Sequence, residues 1–248
     1  MEHPVNKAQS LTPAQLVGAD PRAIVDFCGQ RLHRDVVAPL QQLIAAAALD
    51  GFDLAVASGY RSFERQLQIW NDKAQGVRPV FDAAGELLDI EALDERQRVY
   101  AILRWSALPG GSRHHWGCDL DIFDRAAVAA DYRVQLIDEE VYGQGVFARM
   151  HNWLDQRITS HSACGFYRPY TGDTGACLIA AERWHLSYQP LAAHFQRALS
   201  RDLVYQHLAA ETRLQLRDVV LAEFDRIFEC YIALPCTIEP ANSGSEYR

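Results

Sequence analysis

At 248 residues, with 24 Lys+Arg against 32 Asp+Glu for a net charge of −8 and 49% hydrophobic residues, the chain is long enough to bury its own core without disulfides or a structural metal. The acidic balance excludes nucleic acid as the main partner, since phosphate binding needs a basic surface, and it disfavours anionic membranes for the same reason. No stretch approaches the ~20 apolar residues of a membrane span. The N-terminus lacks the basic start and apolar run of a secretory signal, so the expected location is cytoplasmic if Met1 is the native start and periplasmic if an export signal has been removed.

In chain order, Thr12-Pro13 and Asp20-Pro21 each place a capping side chain before a proline, a pattern that suits a helix entry. The apolar residues from Ile24 to Ile44 recur at spacings near three and four, which predicts one long amphipathic helix interrupted near Pro39. Asp50-Gly51 ends it. Phe52 to Ser58 reads as a short buried strand, Ser62 caps a helix running to about Gly76, and residues 76–93 read as a loop or small hairpin. Asp94 opens a further helix that Pro109-Gly110-Gly111 stops. Ser112 to Phe123 begins polar and ends in the alternation Cys118, Leu120, Ile122 against Asp119, Asp121, so its second half is a strand.

Val141 to Ile158 is helical, Ala163–Tyr167 and Cys177–Tyr188 are strands, and Leu191 to Ile232 is a helical extension of two helices packing on the domain. Few short strands between helical blocks predict an α+β fold: a small, mainly antiparallel sheet with helices packed on it. The expected organisation is an N-terminal helical segment (1–50), a core (51–190), the helical extension (191–238) and a disordered tail (239–248). The six cysteines form no CxxC pair and read as reduced thiols filling small core positions.

Nine histidines are scattered through the chain, and two neighbourhoods stand out. In Ser112-Arg113-His114-His115-Trp116-Gly117-Cys118-Asp119-Leu120-Asp121, a turn lets an imidazole and a carboxylate seven positions apart reach one point. In Glu182-Arg183-Trp184-His185, an acid and an imidazole stand three positions apart. A catalytic zinc takes three nitrogen or oxygen ligands and keeps an open position, beside a carboxylate that handles the proton of water. His114, Asp121 and His185 would supply the ligands and Glu182 the base. In a regular strand Glu182 and His185 face opposite ways, so they converge only if the chain twists, bulges or leaves the strand between them.

Three ordered segments carry a resemblance: Ser58-Gly59-Tyr60-Arg61-Ser62, the SxHxxGxxxD pattern from Ser112 to Asp121, and the ExWH pattern from Glu182 to His185. Over roughly residues 50–190 the chain resembles the VanY-type D-alanyl-D-alanine carboxypeptidases, zinc peptidases whose relatives include VanX-like dipeptidases and L,D-carboxypeptidases. The resemblance implies Zn2+ held by His114, Asp121 and His185, with Glu182 as general base and acid. It implies that Arg61 stabilises the anionic intermediate or holds substrate, and that Gln66 and Ser112 bind the terminal D-alanine.

Asp119 shares a strand face with Asp121 and is the alternative ligand or a supporting group, and His115 is the corresponding neighbour of His114. The implied substrate is a peptidoglycan stem peptide or muropeptide ending in D-alanine, with the L,D reaction slightly favoured if the protein stays in the cytoplasm. The competing reading is a non-catalytic or metal-stabilised module that binds wall peptides.

Overall fold

The computed structural model describes residues 11–172 and 178–233. The tail expected to be disordered lies outside them, as do Cys177 and Cys236; the other cysteines, Cys28, Cys118, Cys164 and Cys230, are free thiols. The fold is α+β. A short helix α1 (Pro13–Leu16), closed by a Thr12–Gln15 capping box, leads into an antiparallel hairpin, β1 (Ile24–Phe27) and β2 (Gln30–His33). This replaces the first part of the expected long helix. Cys28 and Gly29 both take positive φ, 52° and 79°, a two-residue turn that closes a hairpin and cannot sit inside a helix. Helix α2 (Arg34–Leu49) then runs through Pro39 without the expected interruption, at the cost of the hydrogen bond that the Pro39 nitrogen cannot donate.

The main sheet has the order β3-β4-β6-β5, antiparallel throughout, from β3 (Leu54–Ser58), β4 (Asp119–Asp124), β5 (Phe166–Tyr167) and β6 (His185–Tyr188). Leu120, Ile122 and Leu186 are fully buried on the core face, each worth about 1.5–3 kcal/mol of burial. Asp119, Asp121, His185 and Ser187 share the other face, with Asp121 directly opposite His185 and Asp119 opposite Ser187. Strand pairing thus fixes the polar cluster to the same register as the core.

Helix α3 (Phe63–Ala74) starts at Ser62, whose hydroxyl accepts from the Arg65 N–H, and buries Phe63, Gln66, Leu67, Trp70 and Ala74 at helical spacing. Residues 76–93 form a loop with one antiparallel bridge, Phe81 to Leu87, before α4 (Glu95–Leu103), which opens on an Asp94–Gln97 capping box. The expected helix from Val141 is two pieces, α5 (Asp138–Val141) and α6 (Ala148–Thr159). Gly143 at φ 57° and a close approach of Gly145 to the Glu139 and Glu140 carbonyls break it.

In place of the two helices expected, the described residues of the C-terminal extension form four short ones, α7 (Gln189–Ala198), α8 (Arg201–Ala210), α9 (Arg217–Ala222) and α10 (Phe224–Ile227), followed by a π turn at Phe228–Ile232. It packs on the domain. Trp70 Nε1 and Asn71 Nδ2 donate to the Gln215 and Arg213 carbonyls, and buried residues from Leu16 to Ile232 belong to one hydrophobic cluster. No helix among the described residues is long and apolar enough to cross a membrane.

Candidate metal centre and active site

Two loops and two strands build the site. After β3, Gly59 to Arg61 runs against the 3₁₀ turn Arg113–Trp116 that precedes β4. The two segments are knitted together: the Arg61 N–H donates to the His114 carbonyl (3.0 Å), His114 Nδ1 to the Gly59 carbonyl (2.8 Å) and His115 Nδ1 to the Arg61 carbonyl (2.6 Å). Gly117 ends the turn at φ 68°, where a Cβ would lie 2.7 Å from the His33 nitrogen, so only glycine lets the turn close against β2.

Between Glu182 and His185 the chain has left the strand. The His185 N–H donates to the Glu182 carbonyl (3.0 Å), a turn that brings both side chains to one point, and β6 begins only at His185. The strand expected from Cys177 is therefore confined to its last four residues, and that shortening resolves the i, i+3 conflict. The Glu182 N–H donates to the Tyr170 carbonyl (3.2 Å), anchoring the turn from the other side.

His114, Asp121 and His185 are buried, and one donor atom from each lies within 4.8 Å of the others. His114 Nε2 is 3.5 Å from Asp121 Oδ2, His185 Nδ1 is 3.4 Å from Asp121 Oδ1, and His185 Nδ1 is 3.3 Å from Glu182 Oε2. Each imidazole spends its other nitrogen on an acceptor, His114 on the Gly59 carbonyl and His185 on Asp119 Oδ1 at 3.0 Å. That fixes both tautomers and aims the free nitrogens at a common point beside the Asp121 carboxylate, the arrangement of metal-binding imidazoles.

The electrostatics agree. Burial pushes His114 down to about 4, so it is neutral and able to donate its lone pair. Burial opposes the charged form of His185, yet Asp119, Asp121 and Glu182 outweigh it and hold that imidazole well above its ordinary value. The cluster favours positive charge at its centre. The donor set, two imidazoles and a carboxylate, suits zinc.

Asp119 sits behind His185 and accepts from Arg113 Nε (2.8 Å) and Ser187 Oγ (3.0 Å) as well. Burial would raise its pKa, but Arg113 and His185 hold it well below the usual carboxylate range. His115 points away from the cluster, its Nε2 accepting from the Gly110 N–H (2.9 Å), and burial lowers it to about 3. Burial raises Glu182 above its ordinary value against the hydrogen bond from His185.

Arg61 Nη1 donates to Gln66 Oε1 (2.9 Å) and its Nη2 to Ser58 Oγ (3.3 Å), with its charge facing Asp121 and Glu182. Gln66 is fully buried and its Nε2 donates to the Ala107 carbonyl (2.7 Å), so its amide reaches the site through Arg61. Ser112 is buried at the start of the 3₁₀ turn and makes no side-chain cap.

Three residues at the site escaped sequence reasoning. Arg113 spreads its guanidinium over Asp119, Ser187, Tyr167 and Gln196. Its place inside the SxHxxG pattern was the available signal. Tyr170 packs its ring edge-on to His185, centroids 4.7 Å apart, and nothing in its spacing shows that. Lys73, at the end of α3, lies within electrostatic reach of Glu182 and Arg61, and burial lowers its ammonium to about 8.

A family model described as VanY: D-alanyl-D-alanine carboxypeptidase matches residues 29–191. A Haemophilus influenzae protein described as uncharacterized is 44% identical over 103 residues, 40% of this chain and 70% of that one. A D-alanyl-D-alanine carboxypeptidase of Enterococcus faecalis is 30% identical over 166 residues, 66% of this chain and 51% of that one. Among solved structures, one described as VanYB in complex with D-alanine-D-alanine is 24% identical, with a TM-score of 0.48, covering 76% of this chain and 89% of that chain.

Proposed function

This chain belongs to the VanY family of D-alanyl-D-alanine carboxypeptidases, and from that premise we propose that it is a zinc-dependent carboxypeptidase releasing C-terminal D-alanine from peptidoglycan-derived peptides. The observation that carries the reading is the convergence of His114 Nε2, the Asp121 carboxylate and His185 Nδ1, with Glu182 beside them and Arg61 facing them. A structural zinc site takes four protein ligands and needs no free carboxylate; this one offers three and a spare acid, as catalytic sites do.

His114, Asp121 and His185 would hold the zinc, which when bound supplies Lewis-acid activation of water and of the scissile carbonyl. Glu182 takes the proton of the attacking water and passes it to the leaving amine. Its pKa, raised by burial, brings it closer to the range in which one group can both accept and return a proton. Arg61, held in place by Gln66 and Ser58, presents fixed positive charge to the oxyanion that develops on the carbonyl. Asp119 holds the His185 imidazole in the tautomer that leaves Nδ1 free. Ser112, at the start of the turn that carries His114, and Gln66, acting through Arg61, are the residues proposed to hold the terminal D-alanine.

The test is to incubate the protein with muropeptides ending in tetrapeptide and in pentapeptide, before and after chelation, and to follow D-alanine loss by mass spectrometry. Loss from the tetrapeptide marks an L,D-carboxypeptidase and loss from the pentapeptide a D,D-enzyme. Both should stop on chelation and return with zinc. Binding of either peptide without release would support a wall-peptide-binding module instead.

A further inference from the structure

Beyond residue 191, where the match to the VanY family ends, the C-terminal extension reaches the buried back of the metal centre. The contact is made by the second half of α7, which lies against the 3₁₀ turn that carries His114. Phe195 stacks on Trp116, ring centroids 5.6 Å apart, and Gln196 Oε1 accepts from Arg113 Nη1 (3.0 Å). The far end of the extension closes on the same place. Gln196 Nε2 donates to the Ile232 carbonyl (3.2 Å), and Ile232 packs so near Gly111 that a Cβ there would lie 2.7 Å from its Cδ1.

Arg113 carries this contact inward. Its buried guanidinium donates from Nε to Asp119 Oδ1 (2.8 Å) and from Nη2 to Ser187 Oγ (2.9 Å) and the Tyr167 hydroxyl (3.0 Å). Gln196 is the acceptor that Nη1 finds among the described residues. Asp119 Oδ1 is shared, since it also pairs with His185 Nε2 (3.0 Å), the nitrogen opposite the one aimed at the metal site. A continuous path of hydrogen bonds therefore runs from the Ile232 carbonyl through Gln196, Arg113 and Asp119 to His185.

The guanidinium is planar and rigid, so an acceptor that fixes Nη1 also fixes the direction of the Nε–H held on Asp119. Without that acceptor a buried donor is left unpaired, and the group turns to satisfy it. Because one oxygen serves both Arg113 and His185, a shift of the first bond is felt by the second.

We infer that Gln196 is a positioning residue for the metal centre: it fixes the plane of Arg113, Arg113 aligns Asp119, and Asp119 presents His185 Nδ1 to the metal. The C-terminal extension thereby sets how tightly zinc is held. This rests on the metal centre assigned above and adds to it a segment outside the residues matched to the family.

The experiment measures zinc affinity of the full-length protein by competition with a chromophoric chelator, for wild type, Gln196→Met, Arg113→Lys and the double variant. Methionine keeps the length of the glutamine side chain and removes both hydrogen bonds. Lysine keeps the charge beside Asp119 but has no rigid plane for Gln196 to fix. Gln196→Met should bind zinc about 3–10-fold more weakly, as for loss of one buried hydrogen bond. In the Arg113→Lys background the same substitution should change affinity by less than about twofold, because the path is already cut. Gln196→Glu keeps an acceptor for Nη1 and should stay within about twofold of wild type.

Unchanged affinity in Gln196→Met, equal losses in the two backgrounds, or a loss in Gln196→Glu as large as in Gln196→Met overturns the positioning role, since an effect of packing alone is the same in both backgrounds. Should Gln196→Met fail to fold, Gln196→Ala is measured in its place and read the same way. A wild-type protein that binds no zinc overturns the metal reading and the positioning role with it, whereas a zinc-binding wild type matched by Gln196→Met overturns the positioning role alone.

Discussion

The two sides of the centre are built differently. On the side of β3 and β4, Gly59–Arg61 and His114–His115 are tied by three hydrogen bonds through backbone carbonyls, and both imidazoles are paired. On the side of β5 and β6, Arg168 and Arg183 lean on a half-exposed Asp155, and Arg168 Nη1 and His151 Nε2 are buried without partners. The first side positions reacting groups and gains from rigidity; the second leaves hydrogen-bonding capacity unspent. The two flanks of one four-stranded sheet thus differ in how completely their polar groups are paired.

The largest expected effect sharpens the first half of that contrast. Glu182→Gln should lower D-alanine release by about 10²–10⁴-fold while the zinc content by metal analysis stays that of the wild type. Loss of metal together with activity would make Glu182 a ligand and break the assignment. Next, Asp119→Asn removes the carboxylate behind His185 and should weaken zinc binding by about 10–100-fold in competition with a chelator. Gln66→Ala should cost about tenfold in kcat/KM with metal content intact, because it loses the hold on Arg61 and the bond to the Ala107 carbonyl but no contact with the metal ligands. If metal content falls as well, the rigid side is one cooperative unit rather than separable parts.

The smallest effect probes the other side. Burial first, then Arg168 and Arg183, hold His151 well below the ordinary value of about 6.5. Above that pH the imidazole is neutral in both folded and unfolded chains, and its contribution to stability is fully present. Below it the unfolded chain takes up a proton that the folded chain refuses, so stability falls by about 1.4 kcal/mol per pH unit. Denaturant titrations between about pH 6.5 and 5 should show His151→Gln with a slope shallower by about one proton. An unchanged slope would mean that the Arg168 side accommodates the charge.

The same division governs what was legible beforehand. Period-two alternation in β4 put Asp119 and Asp121 on one face opposite the apolar residues, and the short motifs singled out His114, Asp121, Glu182 and His185, all of which the fold gathers. The turn between Glu182 and His185 could not be read, because its geometry depends on the Tyr170 carbonyl arriving from a separate segment. The β1–β2 hairpin was hidden for a related reason. Ile24, Val25 and Leu32 fit a helical spacing as well as a strand, and the non-glycine Cys28 at positive φ gave no turn signal. Tyr170, Arg168 and Asp155 meet only through tertiary packing, so no local pattern marks them.

Anomalous diffraction at the zinc absorption edge tests the central claim most directly. The account predicts one strong peak per chain, about 2.0–2.2 Å from His114 Nε2, the Asp121 carboxylate and His185 Nδ1, with Glu182 alongside and uncoordinated. A peak coordinated by Asp119 or Glu182 in place of these atoms, or none in protein that releases D-alanine, would contradict it.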